Sequence, residues 1–124
     1  MILKYKIEKE FKVSTNSIYS WNIHWRKRKK ISDYYHYISV EDCLGLKKLQ
    51  KKVNLKFEFY FKSRYFDSSN CSFIWKCLED GLVKNWLLHE DNNKRIWQVS
   101  YQSMLIDQKE RKQMKFDYVR IIIL

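Results

Sequence analysis

A chain of 124 residues with no internal shift in composition fits one domain spanning 1–124, and its length allows a sizeable core. Its 25 basic and 14 acidic residues give a formal charge of +11, which attracts polyanions such as nucleic acid or an anionic membrane surface. The sequence has no apolar run of membrane-spanning length and no signal-peptide core at its start, so we expect a cytoplasmic protein without membrane segments.

The basic charge has a second explanation. The chain lacks Ala and Pro and is crowded with Lys, Ile, Asn and Tyr, which is typical of an AT-rich coding sequence, so codon usage can account for part of the lysine content. The cysteines Cys43, Cys71 and Cys77 are odd in number and form no C-x-x-C pair. They are typical of reduced, buried thiols in an intracellular protein.

The first half of the chain predicts a strand and a helix. Alternation over 2–11 predicts a half-buried strand, which the polar residues 14–16 end. Apolar and aromatic residues over 18–38 recur at spacings near three and four, which predicts a helix or a loop leading into one, with the basic run 26–30 on its exposed face. The segment 40–52 is ambiguous between a helical turn and a loop.

The second half predicts a strand, a helix and two further strands. Almost perfect alternation over 53–61 predicts the clearest strand, and an apolar stripe from Cys71 to Leu82 predicts the second helix. Strands follow over 95–106 and 112–124, with a polar turn at 107–112 between them. The order predicts a small single α/β domain, a mixed β-sheet of about four strands packed with two or three helices.

Acidic residues surround the second predicted helix. Asp67 precedes it, Asp80 shares its polar face with Lys76, and Glu90 and Asp91 follow it. If the flanking strands are neighbours in the sheet, Asp67 and Asp91 lie at the same end of it and could hold Mg²⁺ with water and a substrate phosphate. The alternative is structural: a helix cap at Asp67, a surface pair between Lys76 and Asp80, and ordinary turn residues at Glu90 and Asp91.

The same residues carry a family resemblance. Asp67-Ser-Ser-Asn70, Lys76, Glu79-Asp80-Gly81-Leu82 and Glu90-Asp91 resemble, in this order, the signature of the RusA family of Holliday junction resolvases. That signature is an Asp-x-Asp-Asn turn, a lysine on the following helix, an Asp-x-Leu pair at its far end and an Asp-Asp turn. The stretch TNSIYSWNIHWRKRKK also resembles the opening loop and basic helix of this family, so the resemblance covers about 15–100.

The resemblance implies a metal-dependent endodeoxyribonuclease. Its metal-binding acids fall on Asp67 and Asp91, and its catalytic lysine on Lys76. Ser69 stands where the family has a second aspartate, so Glu90, Asp80 or water completes the shell, or activity is reduced. The implied cofactor is Mg²⁺, with Mn²⁺ also possible, and the implied partners are a four-way DNA junction and a second copy of the chain in a homodimer.

We expect DNA contacts from the opening loop, the basic helix and the Asp67 turn. The residues are Asn16, His24, Arg26, Lys27, Arg28, Lys29, Lys30, Arg64 and Asn70. Trp21 and Trp25 either stack on unpaired bases or belong to a core beneath a solvated helix face. Two other functions stay open: a catalytically weakened relative that binds branched DNA, and a phage or plasmid accessory protein whose basic helix contacts protein or RNA.

Overall fold

The secondary structure alternates between strands and helices, as the sequence predicts. A computed structural model describes residues 1–20, 24–46, 48–49, 52–85, 96–104 and 107–124, with the backbone alone for 96–98 and 101. The strands are β1 (Ile2–Ile7), β2 (Val53–Tyr60), β3 (Ile96–Met104) and β4 (Asp117–Ile123). The helices are α1 (Thr15–Ile18), α2 (Trp25–Tyr37), α3 (Val40–Leu44), α4 (Ser72–Lys84) and α5 (Gln108–Gln113). The predicted α/β class with a mixed sheet is confirmed.

The described strands form one sheet in the order β1-β4-β2-β3. β4 is antiparallel to both of its neighbours, with Ile7 opposite Asp117 and Tyr60 opposite Tyr118. β2 and β3 are parallel and are joined through α4. The carboxyl ends of β1, β2 and β3 therefore share one end of the sheet with the first residues of β4.

One face of the sheet forms the core. Alternate residues point to opposite faces of a strand, and the apolar sets of β1, β2 and β4 all point to the same face. They pack against the apolar stripes of α2 and α4. The largest fully buried side chains are Tyr35, Phe57, Phe59, Ile18, Ile31, Leu55, Ile74, Leu78, Leu82, Ile121 and Val119.

Several predicted boundaries are wrong. β1 ends at Ile7, and the residues after it form a 3₁₀ turn at Lys9–Phe11. Thr15–Ile18 is a helical turn capped by the Ser14 hydroxyl, where the sequence predicted only a break. Most of the predicted polar turn at 107–112 belongs to helix α5, which runs to Gln113 and is capped by the carboxylate of Asp107.

Among the described residues, none of the helices combines the length and apolar character that a bilayer span requires. The longest, α2 and α4, have 13 residues each, whereas a span needs about 20.

Candidate functional site

Asp67 lies on the turn that joins β2 to α4 and caps the 3₁₀ turn Ser68–Cys71. Its Oδ1 accepts hydrogen bonds from the Ser69 hydroxyl at 2.8 Å and from the Asn70 amide at 3.0 Å. Within the described part of the chain, no hydrogen bond or ion pair reaches its Oδ2, and the side chain is exposed. Capping therefore uses one carboxylate oxygen and leaves the other facing solvent.

The opening loop packs directly on this turn. The Thr15 hydroxyl donates to the Asn70 carbonyl at 3.1 Å and accepts from the Phe73 amide at 3.0 Å. The Asn16 amide donates to the side-chain carbonyl of Asn70 at 3.3 Å. Two segments about 55 residues apart in sequence are thus held together beside Asp67, and they are the two segments that carry the family resemblance.

The turn is also fixed to the carboxyl end of β3. The Ser103 amide donates to the Ser68 hydroxyl at 3.1 Å, and the Ser103 hydroxyl donates to the Phe66 carbonyl. These contacts place Asp67 at the end of the sheet where β2 and β3 both finish.

The predicted meeting of Asp67 with Asp91 stays a prediction. Glu90 and Asp91 lie outside the described residues. The flanking strands are neighbours, as expected, but they are parallel, and Asp91 precedes β3 whereas Asp67 follows β2. Ile96, where β3 begins, lies about 23 Å along the strand from Ser103. The strand pairing therefore puts the start of β3 at the end of the sheet opposite Asp67.

Lys76 and Asp80 form the i,i+4 pair that their spacing suggests. Their charged atoms are 3.5 Å apart and both side chains are partly exposed. Asp80 lies about 12 Å along the helix axis from Ser72, the first residue of α4. The structure therefore does not bring Asp80 to the carboxylate of Asp67, and Lys76, one turn beyond Ser72, lies nearer to it.

The residues around Asp67 fit an open cation site rather than a closed one. No group of three His, Cys, Asp or Glu side chains that could hold a metal occurs within the described ranges. Ser69 donates its hydroxyl proton to Asp67, and its neutral oxygen is a weaker Mg²⁺ ligand than the carboxylate that the family has at this position. Mg²⁺ usually keeps several waters and binds through one or two carboxylates and substrate phosphates. One exposed Asp67 oxygen meets only the minimum of that requirement.

The basic face of α2 is open to solvent. Lys29 pairs with Asp33 at 2.8 Å, and the guanidinium of Arg26 lies over the ring of Trp25. Trp25 is 60% exposed, so for this residue the predicted alternative of a core tryptophan is wrong, and Trp21 lies outside the described residues. An exposed tryptophan beside cations is available for stacking on a base.

His24 has a local structural function that the sequence did not reveal. Its Nδ1 accepts the Arg26 amide at 3.1 Å, which caps the start of α2. Histidine is not among the preferred capping residues, so composition gives little warning of this contact. The first turn of α2 is also connected to the start of α4, which follows the Asp67 turn. Arg28 lies over the Tyr19 ring, and Tyr19 packs on Phe73.

Sequence reasoning also missed Thr15, whose hydroxyl links the opening loop to α4. The Ser14 cap was a usable signal, since Ser is among the residues preferred at the start of a helix. The contacts of Thr15 with Asn70 and Phe73 could not be predicted, because no local pattern in the sequence indicates a partner so distant along the chain.

Comparison of the chain with protein-family models and with curated proteins gives no match.

Proposed function

We propose that this chain binds branched DNA and cleaves it as a Mg²⁺- or Mn²⁺-dependent endodeoxyribonuclease of RusA type. The proposal includes a homodimer, which paired nicks across a four-way junction require, and action in the cytoplasm. The observation that carries it is the packing of the Asn16 loop on the Asp67 turn, with one Asp67 oxygen left facing solvent.

The proposed roles follow from what each side chain can offer. The exposed oxygen of Asp67 holds the divalent cation together with water and a DNA phosphate. When bound, the cation neutralises charge on the phosphate and lowers the pKa of water. Lys76 supplies positive charge one turn along α4 and stabilises charge that develops on the phosphate oxygens. Asn70 positions the opening loop through its contacts with Thr15 and Asn16.

A second candidate is a protein that binds branched DNA without cutting it. Two observations favour it: Ser69 occupies the position of a family carboxylate, and the parallel pairing of β2 with β3 puts the start of β3 away from Asp67. On this alternative Asp67 is only the cap of the turn, and Lys76 with Asp80 is only a surface pair.

The two candidates differ in the response to Asp67→Asn. Asparagine caps a helix about as well as aspartate, so the turn and the fold should be retained. If Asp67 holds the cation, the variant should lose cleavage of a synthetic four-way junction in Mg²⁺ or Mn²⁺ while still binding the junction. Glu41→Gln, an exposed acid in α3, is the charge-matched control and should cut like the wild type.

The outcomes separate cleanly. If the wild-type chain binds the junction but leaves it intact in both metals, the second candidate is supported, a protein that binds branched DNA without cutting it. A wild-type chain that cuts, and whose Asp67→Asn variant cuts equally fast in limiting metal, would remove Asp67 from the cation site. Asp91→Asn, assayed in parallel, decides whether the residue before β3 takes part.

A further inference from the structure

A basic cleft of about 490 Å³ opens at the end of the sheet where β1 and β2 finish and β4 begins. We propose that this cleft binds the phosphodiester backbone of a nucleic acid, at a site separate from the basic face of α2. The choice of DNA as the nucleic acid rests on the proposed function, whereas the binding of a phosphodiester chain rests on the cleft itself.

The charge of the cleft is the first support. Its lining has six basic and two acidic side chains. Lys6 lies 3.4 Å from Glu8, and Lys12 lies 2.8 Å from Asp117, so both acids are already neutralised. The remaining four cations form no ion pair with any carboxylate of the described residues: Lys9, Lys62, Arg64 and Lys115. Four positive charges that line one cleft repel one another, and a bound anion offsets this repulsion.

A largely buried ion pair gives the cleft a fixed floor. Lys12 and Asp117 are only 9% and 12% exposed at their side chains, and the Lys12 ammonium lies 4.9 Å from the centre of the Phe61 ring. Lys12 also donates to the Ser63 carbonyl, and the Lys62 amide donates to Asp117 at 2.6 Å. The loop that carries Lys62 and Arg64 is therefore held in place before any ligand arrives.

Arg64 provides an independent indication. Its φ is 50°, and no other non-glycine residue of the described chain has a positive φ. This region of φ is unfavourable for a side chain with a Cβ atom and is usually occupied by glycine or asparagine. Backbone strain of this kind concentrates at functional sites. An exposed arginine in a position suited to glycine indicates that its guanidinium is used.

The shape of the cleft favours a nucleic-acid strand over an anionic membrane. A concave site admits a narrow chain of phosphates, whereas a flat bilayer surface cannot reach its floor. Asp67 follows Arg64 by three residues, so their Cα atoms are at most about 11 Å apart. A backbone bound in the cleft therefore passes within a few nucleotides of Asp67.

Of these cations the sequence predicted only Arg64 as a DNA contact. The six come from three distant segments, 6–12, 62–64 and 115, none of which is a basic run. The run at 26–30 is more prominent in sequence and lies on the solvent-exposed face of α2.

The test measures DNA affinity against salt for charge-matched variants. Fluorescence anisotropy of a labelled four-way junction would be recorded at several KCl concentrations for three proteins. These are the wild type, the cleft double variant Lys9→Gln/Lys62→Gln and the control double variant Lys84→Gln/Lys109→Gln. The two control lysines line none of the described clefts. The cleft variant should bind more weakly, and its slope of log affinity against log salt should fall by about two. The control should keep the wild-type slope.

Arg64→Gly gives a second test, in which a loss of DNA affinity cannot be attributed to a loss of folding. Glycine accepts the positive φ, so the melting temperature should be unchanged or higher, yet junction affinity should fall; Arg64→Lys should restore most of the affinity. The inference would be overturned if the cleft and control variants had the same salt slope. It would also be overturned if the cleft variant kept its DNA affinity but lost binding to phosphatidylserine vesicles. Failure of the wild type to cleave DNA would overturn only the nuclease proposal, since slope and cleavage are separate measurements.

Discussion

Gly81 of α4 lies directly against the backbone of His36 in α2. A Cβ atom added to Gly81 would stand 2.6 Å from the His36 carbonyl oxygen and 3.1 Å from its carbonyl carbon. The obstacle is backbone, which cannot rotate away as a side chain can. The two long helices therefore approach each other at a point where only glycine fits.

Gly81→Ala should destabilise the fold even though alanine is the better helix former. Helix propensity favours alanine by about 1 kcal/mol, whereas forcing the helices apart costs about 1–3 kcal/mol or more. We expect a net loss in the free energy of unfolding, measured by urea denaturation. Gly45→Ala is the matched control, because its added Cβ meets nothing within 4 Å among the described residues and its φ is negative, at −92°.

Asp117→Asn should also destabilise the protein strongly. The variant leaves the nearly buried ammonium of Lys12 without its carboxylate, and breaking such a pair costs about 3 kcal/mol. Thermal denaturation should show the loss, and Lys12→Met combined with Asp117→Asn should recover part of it. Asp33→Asn, which removes the partner of exposed Lys29, should change little. A similar loss of stability for Asp33→Asn and Asp117→Asn would show that the Lys12–Asp117 pair contributes no more than an exposed pair.

Thr15→Val should loosen the opening loop. Valine has nearly the same shape but lacks the hydroxyl that bridges the Asn70 carbonyl and the Phe73 amide, so about 1–2 kcal/mol of stability should be lost. Hydrogen exchange of the Phe73 amide should speed up, because its acceptor is removed. Ser17→Ala, at an exposed position of the same helical turn, should leave that amide protected.

The cysteines should resist alkylation in the native state. Burial raises the pKa of Cys71 to about 12 and that of Cys77 to about 11, and burial also raises the pKa of Cys43. At pH 8 the reactive thiolate is then a minor species, since it needs a pH near the pKa to form. Iodoacetamide should label these three thiols slowly until guanidinium is added. Rapid native labelling of Cys71 would contradict the predicted burial, which the structure confirms.

His36 should make stability fall as the pH drops. Burial, and next the charge of Lys84, lower its pKa, and these effects outweigh the opposing charges of Asp80 and Asp33. The folded chain therefore binds this proton more weakly than the unfolded chain. The contribution of neutral His36 to stability is fully present above the unfolded pKa of about 6.5 and is lost as the pH falls below it. His36→Gln should flatten the pH dependence of unfolding between pH 7 and 5. An unchanged dependence would assign the effect to other groups.

Local patterns in the sequence predicted β2 and α4 well, because each has a strict period and a clear boundary. The strand 53–61 has one residue more than β2. The stripe from Cys71 to Leu82 faces the core as expected, with Trp75 partly buried and its other members buried. Helix α5 was missed because QKERKQ is polar all round and has no apolar face to show its period.

The candidate site was only partly predictable. The Asp67 turn is local, and its position before α4 followed from the sequence. Whether β2 and β3 run parallel is a property of the whole sheet, so the expected convergence with Asp91 could not be checked from spacing. The contacts of Thr15 with Asn70 and of Lys12 with Asp117 join distant segments, and no local pattern encodes them.

The position of β4 inside the sheet has a consequence for synthesis. β1 pairs only with β4 among the described strands, and 110 residues separate Ile7 from Asp117 at their paired ends. A ribosome that has released β1 must add almost all of the remaining chain before that strand finds its partner. During this interval β1 exposes an unpaired backbone edge and the apolar face formed by Leu3, Tyr5 and Ile7, and both favour pairing with other chains. Slow translation of the final segment should therefore favour aggregation, and a supply of chaperone should matter most before β4 emerges.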